Sequence, residues 1–258
     1  MRVFVSWFAG VLVFGVSALL MGCGDKPSEN AAPTASAFES AKPASASAAA
    51  FVVDSASSKA GWTMEAPFEK IFGEIAGGIS GDLFIDPADV TKTTGLLNAD
   101  LGKLDLFQQK RKDEKDEKSE FEPRTRSDKQ NEHARGWLEL EKDKANATSQ
   151  FAIKKVETDT PDLTKLSGAE RKISGTLTGE LLVHGRKAER KVKFDAVFTF
   201  DGDKPTKVTV KTTEPLEVTL EVFDVRPHDA GGKTLAALAP KVAKSAPVLI
   251  EFTASLKK

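Results

Sequence analysis

From Phe51 to the end of the chain, apolar side chains recur at every second position, and this period constrains the fold more than any other feature. Val192, Phe194, Ala196, Phe198 and Phe200 alternate with Lys191, Lys193, Asp195 and Thr199. Leu216, Val218, Leu220 and Val222 alternate with Glu217, Thr219 and Glu221, and Val248, Ile250, Phe252, Ala254 and Leu256 follow the same rule. Ala60, Trp62, Met64 and Ala66, then Leu97, Ala99 and Leu101, then Phe151 and Ile153 repeat it earlier. Successive side chains of a strand point to opposite faces, so this spacing predicts strands with one dry face and one wet face. Repeated this often, it predicts an all-β antiparallel sheet. Period two alone leaves a barrel and a sandwich equally open.

Two segments break the alternation. Residues 110–118 (KRKDEKDEK) are a solvated charge run, read as a long loop or an exposed helix. Leu235, Leu238 and Val242 have helical spacing around Pro240 and predict short helical turns.

The chain begins differently. Residues 1–22 read as a secretory signal: Arg2 is the positive start, and an apolar stretch runs from Val3 to Leu20. Leu20-Met21-Gly22-Cys23 resembles the lipobox of bacterial lipoproteins, in which a lipid is attached to the cysteine and the chain is cut before it. An uncleaved membrane helix is the competing reading, since the apolar run is about long enough to span a bilayer. Cys23 is the only cysteine. Its expected modification is thioether lipid plus amine-linked acyl (palmitate-type) chains, each buried methylene contributing roughly 0.8 kcal/mol to membrane binding. Lipidation leaves the exported part without a disulfide, so its core alone must stabilise it. The expected location is the cell envelope, with the protein lipid-anchored. In a host with two membranes that means the outer membrane, facing the periplasm. Residues 23–50 are rich in Ala, Ser and Pro and poor in large apolar groups, and so predict a disordered tether. Residues 51–258 form the folded domain.

The order of motifs in that domain resembles the YceI-like family. FVVDSASSKAGWTMEAPF from Phe51 is similar to the family's opening strand, with Asp54, Ser58, Ala60, Trp62 and Met64 at the matching places. Gly73 with Ile75 is similar to its next short motif. RTRSDKQNEHARGWLEL, with His133, resembles its polar segment, and Ser149-Gln150-Phe151 its Thr-Phe strand. Gly179-Glu180-Leu181-Leu182-Val183-His184-Gly185 resembles its Gly-x-Leu-x-aliphatic-x-Gly strand. The family often has a histidine where Ser57 stands, and the run at 110–118 looks like an insertion, as does part of 229–247. The resemblance implies a lipocalin-like antiparallel barrel of about eight strands with short helical segments. Its apolar interior would hold a long polyisoprenoid or quinone-like lipid, with no other cofactor.

On that reading the lining candidates are Trp62, Met64, Leu101, Phe151, Ile153, Leu181, Val183, Phe194, Phe198, Phe200, Ile250 and Phe252. Each has a plain alternative, because inward residues of a small barrel can simply fill it. Arg135 or Arg226, with His133 or His228, are candidates for a phosphate head group, against ordinary surface placement of each. His184 is expected on the solvent side of its strand.

Other classes lack support. The formal net charge is −1, without the clustered basic face that nucleic acid requires. The histidines show no paired helical spacing and no free thiol accompanies them, so no metal is expected. Gly231-Gly232-Lys233-Thr234 lacks the first glycine of a P-loop, where Pro227 stands. No serine lies in a Gly-x-Ser-x-Gly elbow and no carboxylate pair stands out, so no catalytic residue is assigned. Three functions remain. One is storage, shielding or transport of an isoprenoid lipid at the membrane. The second is a non-enzymatic interaction or stress-response lipoprotein with a solid barrel, recruiting a partner through 110–135. The third is a small lipid-acting enzyme using His133 or His228.

Overall fold

The computed structural model describes residues 28–227 and 243–258. The signal at 1–22, Cys23, His228 and the helical spacing at 235–242 lie outside the described residues. The strands are β1 (Ala49–Glu65), β2 (Glu69–Ala76), β3 (Ile79–Ile85), β4 (Thr94–Asp100), β5 (Leu104–Lys110), β6 (Thr125–Arg126), β7 (Thr148–Glu157), β8 (Glu170–Val183), β9 (Arg186–Asp201), β10 (Lys204–Thr212), β11 (Leu216–Thr219) and β12 (Ser245–Leu256). Among the described residues one α-helix, α1 (Asp128–Trp137), lies between β6 and β7.

The alternating segments pair as an antiparallel ring in the order β12-β10-β9-β8-β7-β4-β3-β1, closed by β1 on β12. The expected eight-stranded, lipocalin-like barrel is the fold, and closure leaves the ring without a free edge. The longest hairpin, β8–β9, turns at His184 (φ 49°) and Gly185 (φ 65°). Two positive φ values in a two-residue loop match the right-handed twist of the strands it joins. This accounts for the glycine that ends the GELLVHG segment. His184 is therefore in the turn rather than on the strand face. Its side chain is 10% exposed, with Nε2 3.6 Å from Glu139 and Nδ1 3.2 Å from the Phe223 carbonyl.

β1 changes partners along its length. Its first residues pair with β3 (Phe51 with Leu83), and its last pair with β2 (Trp62 with Gly73). The switch occurs at an irregularity between Asp54 and Lys59, the kind of break that bends and twists a strand. Ser58 is buried there, and its Oγ accepts from the Ile79 amide at 3.2 Å. Above the switch β2 and β5 extend the wall outward, so the barrel is wider at this end, called the upper end below. The upper end carries the β1–β2 tip and the β8–β9 turn, and the lower end carries the β9–β10 turn.

α1 roofs the widened side. Ser127 caps its first turn by accepting from the Gln130 amide. Asn131, buried, docks it on β5: its Oδ1 accepts from Leu106 N–H at 3.0 Å, and its Nδ2 donates to the Leu106 carbonyl at 3.0 Å. The charge run becomes a turn-rich loop, with an isolated bridge between Arg111 and Phe121, and it folds back beside β2 and β5. Arg111 and Lys70 lie over the Phe121 ring, and Arg124 lies over Phe72 and Phe107 while pairing with Glu74. It contains no helix.

The stretch whose composition predicts a free tether lies, over residues 28–48, along the outside of the barrel from top to bottom. Ala32 N–H donates to the Val222 carbonyl (2.8 Å) and Ala35 N–H to that of Gly185 (2.9 Å). Phe38 N–H reaches Gln150 (2.8 Å), and Ser45 and Ser47 donate to Asp86. These bonds satisfy backbone and small polar groups, which a reading based on hydrophobicity does not register. The strand itself begins at Ala49.

Candidate functional site

The inward faces of the strands divide the barrel interior in two. In the lower half, Phe51 and Ala254 are wholly buried, and Val208, Leu83 and Phe198 nearly so. They pack with Ile153, Phe194 and Phe200 into a solid floor. One inward step higher along the same strands the packing opens. Phe151 above Ile153, Val192 above Phe194, Val210 above Val208 and Phe252 above Ala254 all face a cavity of about 590 Å³. The cavity is blind below and widens toward the upper end. Its volume is within the range of sites that bury a small organic ligand.

Of the lining candidates, Trp62, Met64, Leu101, Phe151, Leu181, Val183, Ile250 and Phe252 border this space. Ile153, Phe194, Phe198 and Phe200 do not: they form the floor, buried to between 4% and 7% exposure. Both groups are inward and apolar, and only their height along the barrel separates them. Leu104, Leu106, Leu216 and Val218 also border the cavity, and the alternation of β5 and β11 carried that signal. Trp137 and Leu138 border it too, from a polar segment with no apolar period to reveal them.

Two inward glycines create room for aromatic rings in the wall. A Cβ on Gly179 would come within 2.5 Å of the Phe151 ring, and one on Gly73 within 2.1 Å of the Trp62 indole. Trp62 Nε1 is buried without a hydrogen-bond partner. The indole thus acts as apolar wall.

Polar groups gather at the upper rim. Glu65, Glu69, Gln130 and His133 line it on one side, and Asn98, Ser149 and Gln150 on another. His133 stacks on Trp137 with ring centres 5.7 Å apart. It is the one head-group candidate among the described residues that reaches the cavity. Arg135 turns away to the Gly102 carbonyl at 3.2 Å. Arg226 joins Asp224 at 2.9 Å beside Arg186. Gln150 Nε2 donates to Asn98 Oδ1 at 2.7 Å, and its carbonyl is taken by Phe38 N–H, so neither amide is poised as a base or an oxyanion donor. Among the described residues, no three His, Asp or Glu side chains converge as a metal site.

No family model and no curated protein matches the sequence. Solved structures do. A polyisoprenoid binding domain from Saccharophagus degradans, implicated in plant cell wall breakdown, superimposes with a TM-score of 0.51 at 15% identity, covering 81% of this chain and 99% of that one. This chain shares that domain's fold, a closed antiparallel barrel. BcnA of Burkholderia cenocepacia gives a TM-score of 0.44 at 17% identity, covering 80% and 99%. In this barrel the hollow half is bounded by the upper parts of the ring strands together with β2, β5, α1 and β11, and the floor by the ring strands alone.

Proposed function

We propose that this protein is a membrane-anchored lipid-binding module that takes the hydrocarbon chain of an isoprenoid or similar amphiphile into its barrel. The observation that carries the reading is the blind, apolar cavity of about 590 Å³ open toward the upper rim. Transferring apolar chain from water into such a space contributes about 0.8 kcal/mol per methylene before ordering costs. Below the rim the lining is apolar apart from Thr212, whose hydroxyl is taken by the Ile250 backbone, so selectivity rests on chain length and girth, and His133 with Gln130 at the rim meets the polar end. The structural neighbour described as polyisoprenoid binding supports the same ligand class. The rim groups do not form a nucleophile, base and oxyanion set, so the role is binding and transfer rather than catalysis. The lipobox at Cys23 would hold the barrel in the cell envelope, at the outer membrane where there are two.

The test is native mass spectrometry and organic extraction of the purified protein, followed by titration with a series of prenyl alcohols. Co-purifying or added prenyl lipid is expected to bind, and Ala99→Trp, which pushes a ring into the cavity, is expected to abolish binding with the fold intact. Absence of extracted lipid together with no binding across the series would leave a non-enzymatic interaction protein without a lipid ligand as the better reading.

A further inference from the structure

We infer that the upper end of the barrel, led by the Pro67–Phe68 tip of the β1–β2 hairpin, is a bilayer-contacting surface that holds the cavity mouth against the membrane. This rests on the lipid anchor proposed at Cys23.

The argument begins with the length of the leash. A free tether from residue 24 to 48 would span up to about 85 Å and leave the barrel's orientation unconstrained. The docked strap removes most of that freedom. Ser28 N–H donates to Asp224 at 3.1 Å, and its hydroxyl to Glu221 at 3.2 Å. Asn30 donates to the same Glu221 carboxylate at 2.8 Å. Asp224 is itself fixed by Arg186 at 3.0 Å, and Thr34 forms a bridge with Arg186. All of these contacts are at the upper end, beside the β8–β9 turn. From Cys23 to Ser28 the chain reaches at most about 17 Å. β8, with 14 residues, runs about 48 Å along its own direction. At ordinary barrel tilt that is roughly 35 Å of height. A lipid on Cys23 therefore keeps the upper rim beside Ser28 within reach of the membrane and prevents the barrel from standing on its lower end.

The end so held has a surface suited to lipid. Ala66, Pro67 and Phe68 are exposed at the hairpin tip, and Phe68 is 38% exposed. The turn is tight, with Ala66 N–H donating to the Glu69 carbonyl at 2.8 Å. It is braced by Arg111, whose backbone N–H donates to the Phe68 carbonyl at 2.9 Å and whose Nε donates to that of Pro67 at 3.1 Å. Glu65 beside it is neutralised by Lys70 at 2.9 Å. Glu65, Ala66, Pro67 and Glu69 border the cavity, so a tip seated in the head-group layer sets the mouth at the lipid. Phenylalanine is among the side chains that bury at the boundary between head groups and acyl chains.

The experiment uses the full lipidated chain in phosphatidylethanolamine–phosphatidylglycerol vesicles containing a nitroxide-labelled lipid. With Cys23 occupied by lipid, Phe68→Cys or Asp203→Cys supplies a single thiol for a fluorophore, at the tip or at the β9–β10 turn. Quenching several-fold stronger at 68 than at 203 is expected; equal quenching, or stronger quenching at 203, overturns the proposal. A Gly/Ser insert of about twenty residues between Cys23 and Ser28 lengthens the leash, and the contrast between the labels should fall; an unchanged contrast overturns the role given to the strap. The mass of the Cys23 peptide reports separately on the anchor. If that residue proves unmodified, the anchor reading fails, and a chain with six histidines replacing Cys23, held on nickel-chelating vesicles, reads the orientation with the same two outcomes.

Discussion

The Trp62 indole lies directly over Gly73, its neighbour across the β1–β2 ladder, so closely that a Cβ on the glycine would come within 2.1 Å of ring carbons. The contact positions the upper wall of the cavity where β1 has exchanged its ring neighbour β3 for β2, a strand outside the eight-stranded ring. Gly73→Ala must push the ring aside or distort β2, and is expected to destabilise the protein by about 1–3 kcal/mol, as overpacking does. Trp62→Leu should recover much of that loss when the two changes are combined. Denaturant unfolding of the single and double variants tests this, and additive losses would show that the two side chains are not coupled.

The floor of the cavity makes a second prediction. Phe194 is 5% exposed and stands one inward step below Val192, which borders the cavity. Phe194→Ala should cost about 3–5 kcal/mol and extend the hollow downward. The variant is expected to bind longer prenyl chains than the parent when affinities are compared across a length series. A loss of stability with no change in the preferred length would mean that the floor does not set the chain limit.

The strands were legible in the sequence because their signal is local: Val192, Phe194, Ala196, Phe198 and Phe200 declare one face of β9 whatever surrounds them, whereas closure into a barrel was implied only by the family resemblance. The division between hollow and floor was not, since Phe194 and Phe252 are the same residue type on the same inward face, and only what faces them across the barrel separates plug from wall. Gly73 and Gly179 help determine where rings can lie, but a glycine in a strand is also the mark of a bulge or turn. α1 was hidden for a different reason. Its anchoring residue is Asn131, an amide satisfied by backbone groups of β5, and periodicity registers only apolar anchors. The strap over 28–48 escaped for the same cause, its attachments being main-chain amides and serine hydroxyls.

The lower end of that strap is expected to be acid-sensitive. Asp86 is 3% exposed. The Ser47 hydroxyl holds its carboxyl below the usual aspartate value, with help from Ser45, the Ala88 amide and Lys92, while burial opposes the shift. A carboxyl whose folded pKa is depressed contributes stability above its unfolded value of about 3.9, and that contribution is lost as pH falls through the folded value. Protection of the amides between 42 and 49, measured by hydrogen exchange relative to the unfolded-chain rate at each pH, should therefore be high at neutral pH and fall selectively below about pH 4. Asp86→Asn should exchange faster at neutral pH and lose the acid dependence. A loss of protection in acid that is equal in the variant would assign the sensitivity to another group.

α1 closes one side of the cavity and is docked on β5 through the buried Asn131 amide and the Ser127 N–H, which makes Asn131 a residue able to alter exchange of the proposed lipid from outside the lining. Its side chain serves both backbone groups of Leu106 and also donates to the Ser127 carbonyl at 2.9 Å. Asn131→Ala leaves the Leu106 N–H without a partner, at about 1–3 kcal/mol for a buried group left unsatisfied, while the Leu106 carbonyl keeps the Ser127 N–H at 2.9 Å. Asn131→Asp keeps an acceptor for the N–H and loses the donors. Because α1 carries Trp137 and His133 to the cavity edge, weakening its dock should speed release of a fluorescent prenyl probe more than it slows entry. Alanine is expected to have the larger effect at low pH, where the carboxyl introduced by Asn131→Asp takes up a proton and regains a donor. Release rates unchanged in both variants, with α1 shown by proteolysis to be undocked, would mean that the lipid leaves by another side of the rim.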